Sequence, residues 1–133
     1  MGRRCRWLTL LFLVAAAGIA AGCTFVQGRL RTSAELKNIG YDQAFQIATQ
    51  SAVDAGFTVT SAAKDSGMIA ASKGSQSFML AQRQTLDINV VNDGSKSTVI
   101  VAGEAADYAA IAEAIKDFCI ALQRREPTAV CRA

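Results

Sequence analysis

The 133-residue sequence contains no histidine, one proline, one tryptophan and 7% aromatic residues. Without histidine the commonest general base and the commonest transition-metal ligand are missing, so His-dependent triads and His-bearing zinc sites are excluded. No Gly-rich phosphate loop is present, and no segment repeats beyond two hairpin patterns. The apolar run at residues 7–21 is 15 residues, short of the roughly 20 that a membrane-spanning helix needs. What the chain does have is 51% hydrophobic residues, which excludes a disordered or collagen-like polymer. Its length suits a single domain, since domains run to roughly 100–150 residues.

The N-terminus reads as an address. Arg3, Arg4 and Arg6 precede the apolar run, and small residues end it, the order of a secretory signal peptide. The terminal Ile19-Ala20-Ala21-Gly22-Cys23 resembles the lipobox of bacterial lipoproteins, with Ala20 where leucine is commoner. That resemblance implies cleavage after residue 22, acylation of Cys23 and a lipid bilayer as the first partner; several acyl chains anchor stably where one holds only marginally. In the enterobacterial sorting rule that accompanies the resemblance, Thr24 in place of aspartate directs the protein to the outer membrane. The alternatives are an ordinary signal peptide with a stray cysteine or a retained anchor. Loss of three arginines also changes the charge. The precursor carries 14 Lys+Arg and 11 Asp+Glu; the mature chain is formally neutral, and no nucleic-acid footprint remains.

Four cysteines then reduce to two. Cys5 leaves with the signal and Cys23 is acylated, leaving Cys119 and Cys131 in a compartment where disulfides persist. Cys119 falls late in an expected helix, and Pro127 lets the chain leave that helix and return. The six residues 126–131 can span about 20 Å, enough for a Cys119–Cys131 bridge; the alternative is two free thiols.

The expected domains are a signal peptide (1–22), a lipidated cysteine and tether (23–39) and one α+β domain (40–133). Thr32-Ser33-Ala34-Glu35 fits a capping box, so one helical turn is expected within the tether. Residues 41–55 read as an amphipathic helix with Tyr41, Ala44, Phe45, Ala48, Ala52 and Ala55 on one stripe. Residues 57–63 and 68–73 form a hairpin around a three-residue loop, Asp65-Ser66-Gly67, with Ala63 opposite Ile69 and Gly67 left-handed. Residues 85–91 and 96–102 form a second hairpin around Asn92-Asp93-Gly94-Ser95. A type I′ turn there pairs Val90 with Ser97 and Ile88 with Val99, placing Leu86, Ile88, Val90, Val99 and Val101 on the core face. Residues 107–125 form the last helix, with Asp107 as N-cap and Tyr108, Ile111, Ala112, Ile115, Cys119 and Leu122 as its apolar stripe, flanked by Phe118. The order is αββββα, a two-layer sandwich of a four-stranded antiparallel sheet with both helices on one face.

The chemical motifs are sparse. Ser61-Ala62-Ala63-Lys64 matches S-x-x-K, which in penicillin-binding proteins and β-lactamases sets a lysine beside a serine nucleophile, but its companion motifs are absent. Asp87, Glu104 and Asp107 fall on a solvent-facing strand position, beside a loop and at a helix cap. No catalytic residue, metal site or cofactor is expected. Phe78-Met79-Leu80, between Gln76-Ser77 and Ala81-Gln82, forms either an extension of a strand or an exposed apolar loop that docks on a partner or membrane. The element order, with Ala55-Gly56-Phe57-Thr58-Val59 and Asp65-Ser66-Gly67-Met68-Ile69-Ala70-Ala71, resembles small helix–sheet domains of envelope lipoproteins, including accessory lipoproteins of outer-membrane protein assembly. That similarity implies a non-catalytic, lipid-anchored periplasmic interaction module with an envelope protein partner. The alternative is a small-molecule, lipid or cell-wall binder that uses the mixed sheet face or a cleft beneath Phe78 to Leu80.

Overall fold

A computed structural model of the chain describes residues 29–74, 83–105 and 108–132. Cys23, Phe78, Met79, Leu80 and Asp107 lie outside the described residues, as do the signal and lipobox segments. The elements are β1 (Arg29–Lys37), α1 (Tyr41–Asp54), β2 (Thr58–Ala63), β3 (Met68–Lys73), β4 (Gln84–Asn92), β5 (Lys96–Glu104), α2 (Tyr108–Arg125) and β6 (Cys131–Arg132). The α+β class with one antiparallel sheet is as expected, but the sheet has six strands rather than four, in the order β2-β3-β4-β5-β1-β6. Among the described residues no helix is long and apolar enough to cross a membrane.

The two unexpected strands come from the presumed tether and the tail. Arg29–Lys37 is no tether from residue 29 onward, and Thr32 to Glu35 form no capping box. All nine residues pair with β5, from Arg29 opposite Glu104 to Lys37 opposite Lys96. The reason lies in a period of two. Leu30, Thr32, Ala34 and Leu36 alternate with Arg29, Arg31, Ser33, Glu35 and Lys37, so one face can be buried while the other is polar. Ala34 and Leu36 are buried and Arg29, Arg31, Glu35 and Lys37 exposed. The capping-box reading failed because pairing along the whole of β5 satisfies every second backbone group, whereas one isolated turn leaves most of them to water. β6 adds two pairs on the far side of β1, Ser33 with Arg132 and Ala34 with Cys131.

Both hairpins have longer loops than expected. In the first, Ala63 pairs with Met68 and Ala62 with Ile69, leaving a four-residue turn closed by Gly67 N donating to Lys64 O at 3.3 Å. A bulge between Val59 and Ser61 then returns Val59 to a position opposite Ala71. The irregularity expected at the turn thus sits at Thr60, although Gly67 is left-handed, φ 73°. In the second hairpin, Val90 pairs with Val99, Ile88 with Val101 and Asn92 with Ser97. Side chains hold this wider loop: Asn92 Oδ1 accepts from Gly94 N, and Asp93 Oδ1 accepts from the N–H groups of Ser95 and Lys96. The register is displaced by two residues, and because side chains alternate with a period of two, every residue keeps its expected face. Leu86, Ile88, Val90, Val99 and Val101 are all buried.

The helices close one face of the sheet. Ala44, Ala48 and Ala52 of α1 are fully buried, and the absence of bulk there lets α1 approach the sheet closely. On α2 the buried set is Ile111, Ala114, Phe118, Ala121 and Leu122, so the helix is rotated from the expected stripe. Tyr108 and Ala112 are exposed, while Ile115 and Cys119 are half-buried. Phe118 is the largest fully buried side chain, and the core closes best around it. Gly103 makes room: a Cβ there would meet Ile111 Cγ2 at 2.7 Å. Cys119 faces the sheet edge instead, where a disulfide joins it to Cys131, sulfur to sulfur at 2.08 Å. Across the two helices Arg125 donates to Asp54 Oδ2 at 2.6 Å and to Gln50 Oε1 at 2.7 Å.

Candidate functional site

The sheet face away from the helices is uncovered by any described element, and its strand register sets its chemistry. One row across it runs Arg31, Ala102, Asp87, Ala70 and Ser61. A second runs Arg29, Glu104, Thr85, Ser72 and Thr58, and a third Ser33, Ile100, Asn89, Met68 and Ala63. These rows enclose a shallow trough of about 490 Å³ bounded by Arg29, Arg31, Met68, Asp87, Asn89 and Ile100. Small Ala102 and Ala70 form the low centre of the face, and longer side chains flank it. The trough therefore offers guanidinium and amide donors, one carboxylate and two apolar side chains, a pattern suited to recognition.

One charge pair lies toward the other end of the same face. Lys96 Nζ sits 2.8 Å from Glu35 Oε1. That hydrogen bond first, and the lysine's charge second, hold the Glu35 carboxyl below its ordinary range, and the same bond raises Lys96. In the adjacent turn, the backbone donors of Lys96 and Ser95 lower Asp93. Between the helices, the Arg125 hydrogen bond lowers Asp54. Each of these displaced groups is engaged in a turn or an ion pair that holds the fold.

The sequence-level candidates are dispersed. Ser61 and Lys64 do not form a nucleophile pair: Ser61 is exposed on β2, and the Lys64 ammonium is 3.0 Å from Asp42 Oδ1. The Lys64 carbonyl accepts from the Tyr41 hydroxyl, which ties the start of α1 to the first turn. Asp87 is exposed, as its alternation with Leu86 and Ile88 requires, and Glu104 lies one row away. Among the described residues no group of three or more Asp, Glu or Cys could hold a metal ion. Arg29 and Arg31, which frame the trough, were the residues that sequence reasoning missed. The signal was present in their alternation with Leu30 and Thr32. No protein-family model matches the chain, and no curated protein matches it.

Proposed function

We propose that this chain is a lipid-anchored, non-catalytic module of the bacterial cell envelope, held on the periplasmic side of the outer membrane, which docks an envelope protein on its open sheet face. The observation that carries the reading is the N-terminal order of basic residues, apolar run and Ile19-Ala20-Ala21-Gly22-Cys23. The domain is consistent with it. Its fold begins six residues after Cys23, so an anchored cysteine and the domain are close in the chain. The Cys119–Cys131 disulfide suits an oxidising compartment. The open face supplies mixed polar and apolar groups on rigid strands, where a partner loses little by ordering them.

Two measurements test the reading. Mass analysis of the mature N-terminus is expected to show an acylated Cys23, and acylation should vanish in Cys23→Ser. A photo-crosslinking residue in place of Met68, which is 50% exposed beside the trough, is expected to trap one envelope protein reproducibly in the native membrane. The trough's volume also falls in the range of small-ligand sites. That favours, as the second reading, a small-molecule, lipid or cell-wall binder. A blank crosslink together with saturable thermal stabilisation by a defined ligand would establish it in place of the first.

A further inference from the structure

Resting on the lipid-anchor reading, we propose that the rim of the domain where β1 begins lies against the bilayer surface and contacts anionic lipid headgroups, with the opposite rim pointing away from the membrane. The first support is chain length. Five residues, 24–28, separate Cys23 from the start of β1. Such a connection spans at most about 20 Å and on average about 13 Å if flexible. A nine-residue strand is about 27 Å long. The connection is thus too short, on average, for the far rim to exchange places with the near one.

The second support is what the two rims carry. The pairing register places the start of β1, the end of β5, the start of β4, the end of β3 and the start of β2 in one row. Arg29, Arg31 and Arg83 are exposed there, Glu104 is the carboxylate in the row, and Lys73 is turned to the helices, where it meets Asp117 at 3.9 Å and the Ala55 carbonyl at 3.3 Å. Tyr108, 63% exposed, opens α2 four residues after β5 ends. Arginine and tyrosine suit the headgroup layer, because each keeps a polar tip in water above an apolar or weakly hydrated body. Clustered cations are attracted to anionic lipids within a Debye length of the surface. The far rim holds the two hairpin turns with Asp42, Asp65 and Asp93; of its lysines, Lys64 pairs with Asp42 and Lys96 with Glu35, Lys37 is exposed, and Asp93 caps its own turn. Docked this way, the sheet stands away from the membrane, and its open face is reached from the side.

The test uses the full acylated protein reconstituted in vesicles of phosphatidylethanolamine and phosphatidylglycerol doped with a headgroup-nitroxide lipid. With Cys23 acylated and Cys119 joined to Cys131, an introduced cysteine is the one reactive thiol. A fluorophore on Tyr108→Cys is expected to be quenched at least threefold more than one on Asp65→Cys at the far rim. The double substitution Arg29→Gln with Arg83→Gln should reduce the near-rim quenching at least twofold. Equal quenching at both positions, or stronger quenching at residue 65, overturns the orientation. Quenching unchanged by the double substitution overturns the headgroup contact. Failure of the anchor reading shows separately, as an N-terminus without acyl groups.

Discussion

Truncating Leu36 to alanine tests whether the segment that follows the anchor is structural. Leu36 is fully buried in β1, opposite Ser97 of β5. The substitution removes three carbons from water-free surroundings, roughly 2.4 kcal/mol at about 0.8 kcal/mol for each. The cavity left behind raises the loss to about 3–4 kcal/mol, within the range of buried Leu→Ala changes. For a domain of this size that corresponds to a fall in Tm of about 15–25 °C. The assay is thermal and urea unfolding of a Cys23→Ser chain with its disulfide intact, followed by far-UV circular dichroism. Lys37→Ala, the exposed neighbour on the same strand, is the control and should change stability by less than about 0.5 kcal/mol. A loss below about 1 kcal/mol in Leu36→Ala would mean that β1 does not belong to the cooperative core, and the six-stranded sheet would be refuted.

Two glycines separate conformational strain from collision. Gly94→Ala, at φ 94° with nothing near its Cβ position, should cost only about 1–2 kcal/mol of left-handed strain. Gly67→Ala at φ 73° also drives a Cβ to 2.4 Å from Val90 O, so its loss on urea unfolding should be clearly the larger; equal losses would contradict the packing around the first turn. Cys119→Ser should cost about 3 kcal/mol through the released chain entropy of a 12-residue separation. The same bridge predicts no free thiol among Cys119 and Cys131 in unreduced, denatured protein, and finding two would disprove it. The pH dependence follows from groups lowered or raised by folding. Glu35, Asp54 and Asp93 are lowered from ordinary values of 4.5, 3.8 and 3.8, so they stabilise fully above those values, and that support is lost as pH falls through the folded-state ones. Lys96 is raised from 10.5, so its support is complete below that pH and is lost in stronger alkali. Melting temperature should therefore be level with respect to these groups between about pH 5 and 10 and fall below about pH 4, with the acid slope reduced in Asp93→Asn.

Periodicity settled the elements whose pattern was uniform over many residues. The alanine stripe of α1 and the core faces of β4 and β5 were legible in this way, because local spacing dictates which side chains share a face; the pairing of Cys119 with Cys131 was legible from elimination and chain reach. The open face itself was legible in outline, since Asp87 and Asn89 alternate with buried neighbours. The trough was not. It required Arg29 and Arg31 to lie beside β5, a contact between segments about seventy residues apart. Where two local patterns competed, tertiary contacts decided. Thr32 to Glu35 carry a helix-start signal and also half of a strand, and the unpaired edge of β5 drew them into the sheet. Asp93-Gly94 favours a two-residue turn, yet the hydrogen bonds of Asn92 and Asp93 side chains with the loop hold a wider one. The rotation of α2 followed from the volume under Phe118 and the gap at Gly103, neither of which a single segment can specify. The sequence alone determined the two helices, the two hairpins, the inward faces of α1, β4 and β5 and the N-terminal lipobox resemblance, because each rests on neighbours along the chain. Strand number, register, helix rotation and the residues that frame the open face were decided by the tertiary structure. Each depends on which distant backbone edge or cavity remains to be filled once the core has closed.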